Sequence, residues 1–107
     1  MKLVFIAHPV RGDVAGNLEK VAQIVRKASL YYSEVTPIAP YYLYCNALDD
    51  NNGHEREFGM IQSRFVLTKC DELWLCGDRI SKGMKEEIKT AKEYNIPIIN
   101  MIKTENK

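Results

Sequence analysis

Apolar residues in this chain follow two rhythms, short unbroken runs and a spacing of three to four, and the two alternate from one end to the other. Leu3, Val4, Phe5 and Ile6 form an unbroken run within Lys2 to Ala7, and His8-Pro9 stops it. Such a run predicts a central strand buried on both faces. From Val14 onward the apolar positions are Val14, Leu18, Val21, Ala22, Val25 and Ala28, an amphipathic helix ending near Tyr31 or Tyr32, with Asp13 placed to cap it. Glu34 to Ile38 predicts a second strand, which Pro37 confines to its end or to a sheet edge. Pro40 to Gly53 reads as the longest irregular stretch, with Tyr41, Tyr42 and Tyr44 followed by the turn formers Asp49-Asp50-Asn51-Asn52-Gly53. His54 to Lys69 predicts a second helix with one apolar stripe, Phe58, Ile61, Phe65 and Val66. Glu72 to Cys76 is a third strand, broken by Gly77-Asp78. A third helix runs from after Ser81 to about Tyr94, and Ile96 to Ile102 is a last strand with Pro97 near its start.

The order β-α-β-α-β-α-β, with right-handed crossovers, predicts an α/β fold. It is a single-domain three-layer α-β-α sandwich, flavodoxin- or Rossmann-like, with a four-stranded parallel sheet in order 2-1-3-4. The domain spans residues 1–102, and 103–107 form a polar C-terminal tail. In that strand order a crevice lies above the C-terminal ends of strands 1 and 3. His8 to Gly12, Cys76 to Met84 and the tyrosine-rich stretch meet there.

Composition narrows the possibilities. A chain of 107 residues with 46% hydrophobic residues builds one core with a poor surface-to-volume ratio, so self-association is expected. Fifteen basic and fourteen acidic residues leave a net charge of +1 without a basic run, which argues against a nucleic-acid partner. The three cysteines lack the spacing of a zinc or redox pair and read as reduced, mostly buried thiols of a cytoplasmic protein. The apolar stretch Leu3 to Ala7 is too short for a signal-peptide core or a membrane span. The two histidines are isolated, so no metal is expected. Neither a dinucleotide nor a Walker fingerprint occurs, so no nicotinamide cofactor and no ATPase chemistry is expected.

Ser81 to Ala91 carries the densest candidate chemistry. Ser81 is a natural N-cap, Gly83 lets a ligand approach the first helical turn, and free N–H groups there favour anions. Met84, Ile88, Ala91 and Asn95 share one stripe, the face that must dock on the sheet. Glu87 borders that stripe while Glu86 points to solvent. Glu87 is either a surface glutamate paired with a lysine or a carboxylate facing the crevice. Arg11 and Gly12, just before a helix, suit a phosphate or ribose hydroxyl, or form a plain exposed turn. His8 is a proton donor, a stacking ring, or simply hydrogen-bonded in place. Asp78 follows strand 3 close to Ser81, whereas Asp71 lies at the opposite end of the sheet and reads as structural. Tyr41, Tyr42 and Tyr44 can stack on a base or sugar, or form an interface.

Several segments together resemble a known family: Leu3 to Asp13 with Asn17 downstream, then Cys70-Asp71-Glu72-Leu73-Trp74, then Ser81-x-Gly83-Met84-x-x-Glu87-Ile88-x-x-Ala91 before Ile96-Pro97-Ile98. The chain resembles the nucleoside 2-deoxyribosyltransferase-like superfamily, most of all its small bacterial and phage-type members, which also carry a Glu-Arg pair like Glu55-Arg56. The resemblance implies cleavage or transfer at the N-glycosidic bond of a nucleoside or nucleotide. Glu87 would be the nucleophile and Asp78 an auxiliary acid or sugar ligand. It implies sugar or phosphate contacts from His8, Arg11, Gly12, Ser81, Gly83 and Met84, a pocket loop with Tyr41, Tyr42 and Arg56, and a homodimer or larger homo-oligomer. Characterised enzymes place an aspartate next to their Ser-Gly pair, whereas Ile80 stands there in this chain and Lys82 separates Ser81 from Gly83. The alternative that follows is a catalytically silent protein that sequesters a nucleotide or an ADP-ribose-like signal.

Overall fold

The structure, a computed structural model, describes residues 1–102; the polar tail expected at 103–107 lies outside the described residues. Four strands, β1 (Lys2–Ala7), β2 (Val35–Ile38), β3 (Glu72–Leu75) and β4 (Ile98–Asn100), form one parallel sheet in the order β2-β1-β3-β4. Four helices connect them: α1 (Val14–Tyr31), α2 (Pro40–Ala47), α3 (Gly53–Leu67) and α4 (Lys82–Glu93). The predicted three-layer Rossmann-like α/β architecture and strand order are those observed.

The period of two along each strand sorts the core into two halves. Phe5, Ala7, Leu73 and Leu75 point to one face and pack with Leu67 of α3, Met84 and Ala91 of α4, and the partly buried Tyr41 of α2. Val4, Ile6, Trp74 and the following Cys76 point to the other face, against Ala28, Ile24 and Val25 of α1. One long helix therefore covers one face and three helices cover the other. This is what right-handed crossovers require when the chain moves from β1 out to β2 and then back across to β3 and β4. At the N-terminal end of the sheet, the Asp71 carboxylate accepts from the Leu3 N–H at 2.7 Å, and the Asp71 N–H donates to the Leu3 carbonyl at 2.7 Å. Asp71 is thus a structural clamp between β1 and β3. Pro37 pairs in register with Val4 on β2, an edge strand, where its missing N–H costs no ladder bond.

Three sequence expectations are corrected. The stretch from Pro40 to Gly53 is not irregular: Pro40 opens α2 at its first turn, where a proline needs no N–H partner. The turn formers Asp49 to Asn52 follow that helix and join it to α3 rather than replace it. Second, the single apolar stripe expected on α3 is split: Val66 packs against the core, whereas Phe58, Ile61 and Phe65 are exposed. Gly59, Ser63 and Leu67 are the buried residues of that helix. Third, Asn95 does not continue the docked stripe of α4. It is exposed, with φ of 56°, in the left-handed conformation that ends the helix. Among the described residues no helix is long and apolar enough to cross a membrane.

Candidate functional site

The turns at the sheet's C-terminal edge are fixed by local chemistry. Gly77, right after β3, adopts φ of 95°, and a Cβ there would lie 2.8 Å from Pro9 Cδ and 3.1 Å from His8 Cδ2. Only glycine lets the two turns approach so closely. Ser81 then caps α4. Its Oγ accepts the Met84 N–H at 3.2 Å, and Met84 Sδ accepts the Ser81 N–H at 3.4 Å. These bonds fix the first turn of α4 and, with it, the direction of Gly83 and Glu87.

A cavity of about 120 Å³ opens between α2, α3 and this first turn. α2 lines it with Tyr41, Tyr44 and Cys45, and the turn that follows adds Leu48 and Asp50. α3 contributes Glu55, Arg56, Gly59, Met60, Ser63 and Arg64, and α4 contributes Gly83, Glu86 and Glu87. Gly59 lets the two helices approach: a Cβ there would stand 3.1 Å from Tyr44 Cβ. Glu55 is spent on local structure, its Oε1 accepting the Asp49 N–H at 2.8 Å.

Glu87 is strongly altered by its surroundings. Only a narrow face of the residue meets solvent, and protein closes round the carboxyl. Burial pushes it from 4.5 up to about 8, against the opposing pull of the Arg64 guanidinium. Glu87 forms no ion pair among the described residues. Beside it, burial first and the Glu87 carboxylate second hold the Tyr41 phenol well above its ordinary value. Tyr41 is therefore a neutral donor, and it donates to the Ile6 carbonyl at 2.5 Å. Burial, with the Asp50 charge second, also raises Cys45, so its thiol is not poised as a nucleophile. Ser63 Oγ is buried and has no hydrogen-bond partner among the described residues. An unsatisfied hydroxyl in a cavity wall is costly to the free protein and available to a ligand.

The structure gathers some of the expected residues and separates others. Glu87, Gly83, Tyr41 and Arg56 line the cavity together. Glu86, read as solvent-facing, is exposed and also stands on the cavity wall. Asp78 lies outside the lining, exposed, and pairs with Arg79 at 3.0 Å. Arg11 and Gly12 form an exposed turn, with φ of 99° at Gly12. His8 is buried with Nδ1 2.7 Å from the Pro9 carbonyl oxygen. Ser81 and Met84 are engaged in the cap, Met84 being part of the core, and Tyr42 is exposed on α2 away from the lining. Tyr44, expected as a stacking ring, lines the cavity, and the sequence reading missed Ser63 and Arg64. A glycine inside a helix, Gly59, was the signal for the close contact that frames them. Among the described residues no group of three or more His, Cys, Asp or Glu side chains is placed to hold a metal ion.

A family model described as a domain of unknown function (DUF7768) matches residues 2–101. The chain belongs to this family. No curated protein matches the sequence. Among solved structures, a 2-deoxyribosyltransferase from the psychrotolerant bacterium Bacillus psychrosaccharolyticus is similar, with a TM-score of 0.68 and 13% sequence identity. The similarity covers 98% of this chain and 75% of that one. It is a similarity of fold.

Proposed function

We propose that this protein binds a nucleoside or nucleoside monophosphate in the cavity between α2, α3 and α4 and breaks its N-glycosidic bond through Glu87. The observation that carries the reading is the placement of Glu87. It is a desolvated carboxyl without an ion pair among the described residues, on the wall of a cavity shared with Tyr41, Tyr44 and the open backbone at Gly83. The fold likeness to a 2-deoxyribosyltransferase supports the same ligand class.

In the proposed reaction a Glu87 carboxylate oxygen forms a bond to C1′ as the C1′–N bond breaks, and the bonding pair leaves with the base. The base takes a proton from solvent, since Asp78 stands outside the lining. Water or a second base then attacks C1′ and releases the Glu87 carboxylate. A carboxylate both stabilises the oxocarbenium-like transition state and captures it. Tyr41 and Tyr44 offer faces for the base or sugar. The attacking form of Glu87 is the ionised one, so kcat/KM rises with pH, bends near 8 and levels off above it.

Two observations favour a second reading, a binder that leaves its ligand intact. Asp78 is not in the cavity, and at pH 7 the neutral form of Glu87 dominates. Incubation with deoxynucleosides, ribonucleosides and their 5′-monophosphates, followed by chromatography for free base, separates the two. The enzymatic reading predicts base release that Glu87→Ala abolishes. Folded protein that binds a member of the panel and returns it unbroken supports the binder.

A further inference from the structure

Glu87 and Arg64 each lack a charged neighbour on their own helix. In α4 the positions three and four residues from Glu87 are Gly83, Met84, Thr90 and Ala91, and in α3 those around Arg64 are Met60, Ile61, Leu67 and Thr68. Side chains at these spacings are the ones a helical residue meets, so neither charge is answered within its helix. Glu86 differs: it is exposed, with Lys82 four residues before it and Lys89 three after. Arg64 and Glu87 line one cavity from two of its walls, α3 and α4. Both are partly buried, and neither forms an ion pair among the described residues.

We propose that Arg64 is a positioning residue for Glu87: its guanidinium stands across the cavity as the counter-charge that lets the enclosed carboxyl ionise and attack. The catalytic consequence rests on the reaction proposed above, whereas the pairing itself is a property of the free protein. No other group facing Glu87 can take this part. Tyr41 and Cys45 of α2 are kept neutral by burial. Asp50, Glu55 and Glu86 carry the wrong sign. Arg56 is the other cation of the lining, but it lies eight residues before Arg64, about 12 Å back along α3, toward the end of the cavity that Glu55 lines.

Burial works against a charge on Glu87, and the Arg64 guanidinium works for it. Held beyond ion-pair distance, the guanidinium favours the ionised form without closing on the carboxylate, which leaves an oxygen of Glu87 free to reach C1′. A closed pair would block the attack. Arg64 also lines the groove on the outer side of α3 and α4, so solvent weakens its pull and sets the expected effect at the low end for an opposite charge.

Carbon-13 NMR of the free protein, labelled at the glutamate side-chain carboxyl, tests the inference. The resonance missing from Glu87→Gln is that of Glu87, and in the wild type it should titrate near 8. Arg64→Gln and Arg64→Met, which keep much of the stem, should move this titration up by about one pH unit. Arg64→Lys should bring it back toward the wild type, and Arg56→Gln should move it far less. At pH 7 the ionised fraction falls about tenfold in Arg64→Gln, so kcat/KM should fall by about that factor there and recover on the high-pH plateau. A mere loss of packing would lower kcat/KM at every pH. A Glu87 titration that stays in place in Arg64 variants folded by circular dichroism, or that moves as far in Arg56→Gln or Arg64→Lys, would overturn the inference. Absence of base release from the wild type would overturn the proposed reaction alone, since the NMR titration reads the pairing without substrate.

Discussion

Replacing Glu87 by glutamine should make the protein more stable, and the gain should depend on pH. Burial raises the Glu87 carboxyl from 4.5 to about 8, so between those values the folded state binds a proton that the unfolded state releases. Stability from this group is complete below about pH 4.5 and is lost as pH rises through about 8. At about 1.4 kcal/mol per pH unit the full shift weighs roughly 1 kcal/mol against folding at pH 5 and roughly 4 kcal/mol at pH 8. Solvent at the cavity mouth screens part of this, which brings the expectation at pH 8 to about 2–4 kcal/mol. Glutamine keeps the shape and carries no charge, so it escapes the penalty. Urea unfolding of wild type and Glu87→Gln at pH 5 and pH 8 reads the difference as a shift in midpoint at constant m. Taking the difference between the two proteins cancels every other titrating group. The variant should exceed the wild type by about 2–4 kcal/mol at pH 8 and by about 1 kcal/mol or less at pH 5. Equal gains at the two pH values, or a less stable variant at pH 8, would refute the buried-carboxyl reasoning.

Three further substitutions probe the site and its frame. Gly83→Ala meets nothing nearer than Ser81 Oγ at 4.0 Å, so the free protein should gain about 0.5–1 kcal/mol in thermal unfolding. The same methyl should weaken nucleoside binding in calorimetry if the ligand lies against the first turn of α4. Ser63→Ala removes an unsatisfied buried hydroxyl and should leave stability unchanged or raise it by up to about 1 kcal/mol, while lowering ligand affinity where the hydroxyl serves as a donor. Gly77→Ala forces a side chain into a positive φ and within 2.8 Å of Pro9 Cδ, and should cost about 2–4 kcal/mol by urea midpoint.

The sheet was legible because each strand carries its own local mark. His8-Pro9 ends β1, Gly77 ends β3, and Pro37 sends β2 to the edge, so strand order follows from crossover handedness alone. α4 was equally legible, since Ser81 as cap and Met84, Ile88 and Ala91 as stripe agree with one another. α2 was hidden because its opening proline and its tyrosines resemble loop residues, while its burial comes from Tyr41 packing on Phe5, a contact 36 residues away. The orientation of α3 was hidden for a different reason. Apolar periodicity marks one face of a helix, and it does not say whether that face meets the sheet. In α3 the sheet-facing side is small, Gly59 and Ser63, because α2 and the cavity need the room. Ser63 and Arg64 entered the site for that reason, and no local pattern marks them. Asp78 illustrates the limit of reasoning by nearness in sequence: it lies three residues from Ser81, yet its side chain turns outward to Arg79.

The central claim is that Glu87 forms a covalent bond to the sugar, and the mass of the protein quenched in acid during turnover tests it most directly. The account predicts an adduct of one sugar, phosphorylated when the substrate is a monophosphate, on the peptide that contains Glu87, and none in Glu87→Gln. Base release with no adduct on that peptide, or an adduct that persists in the glutamine variant, would contradict it.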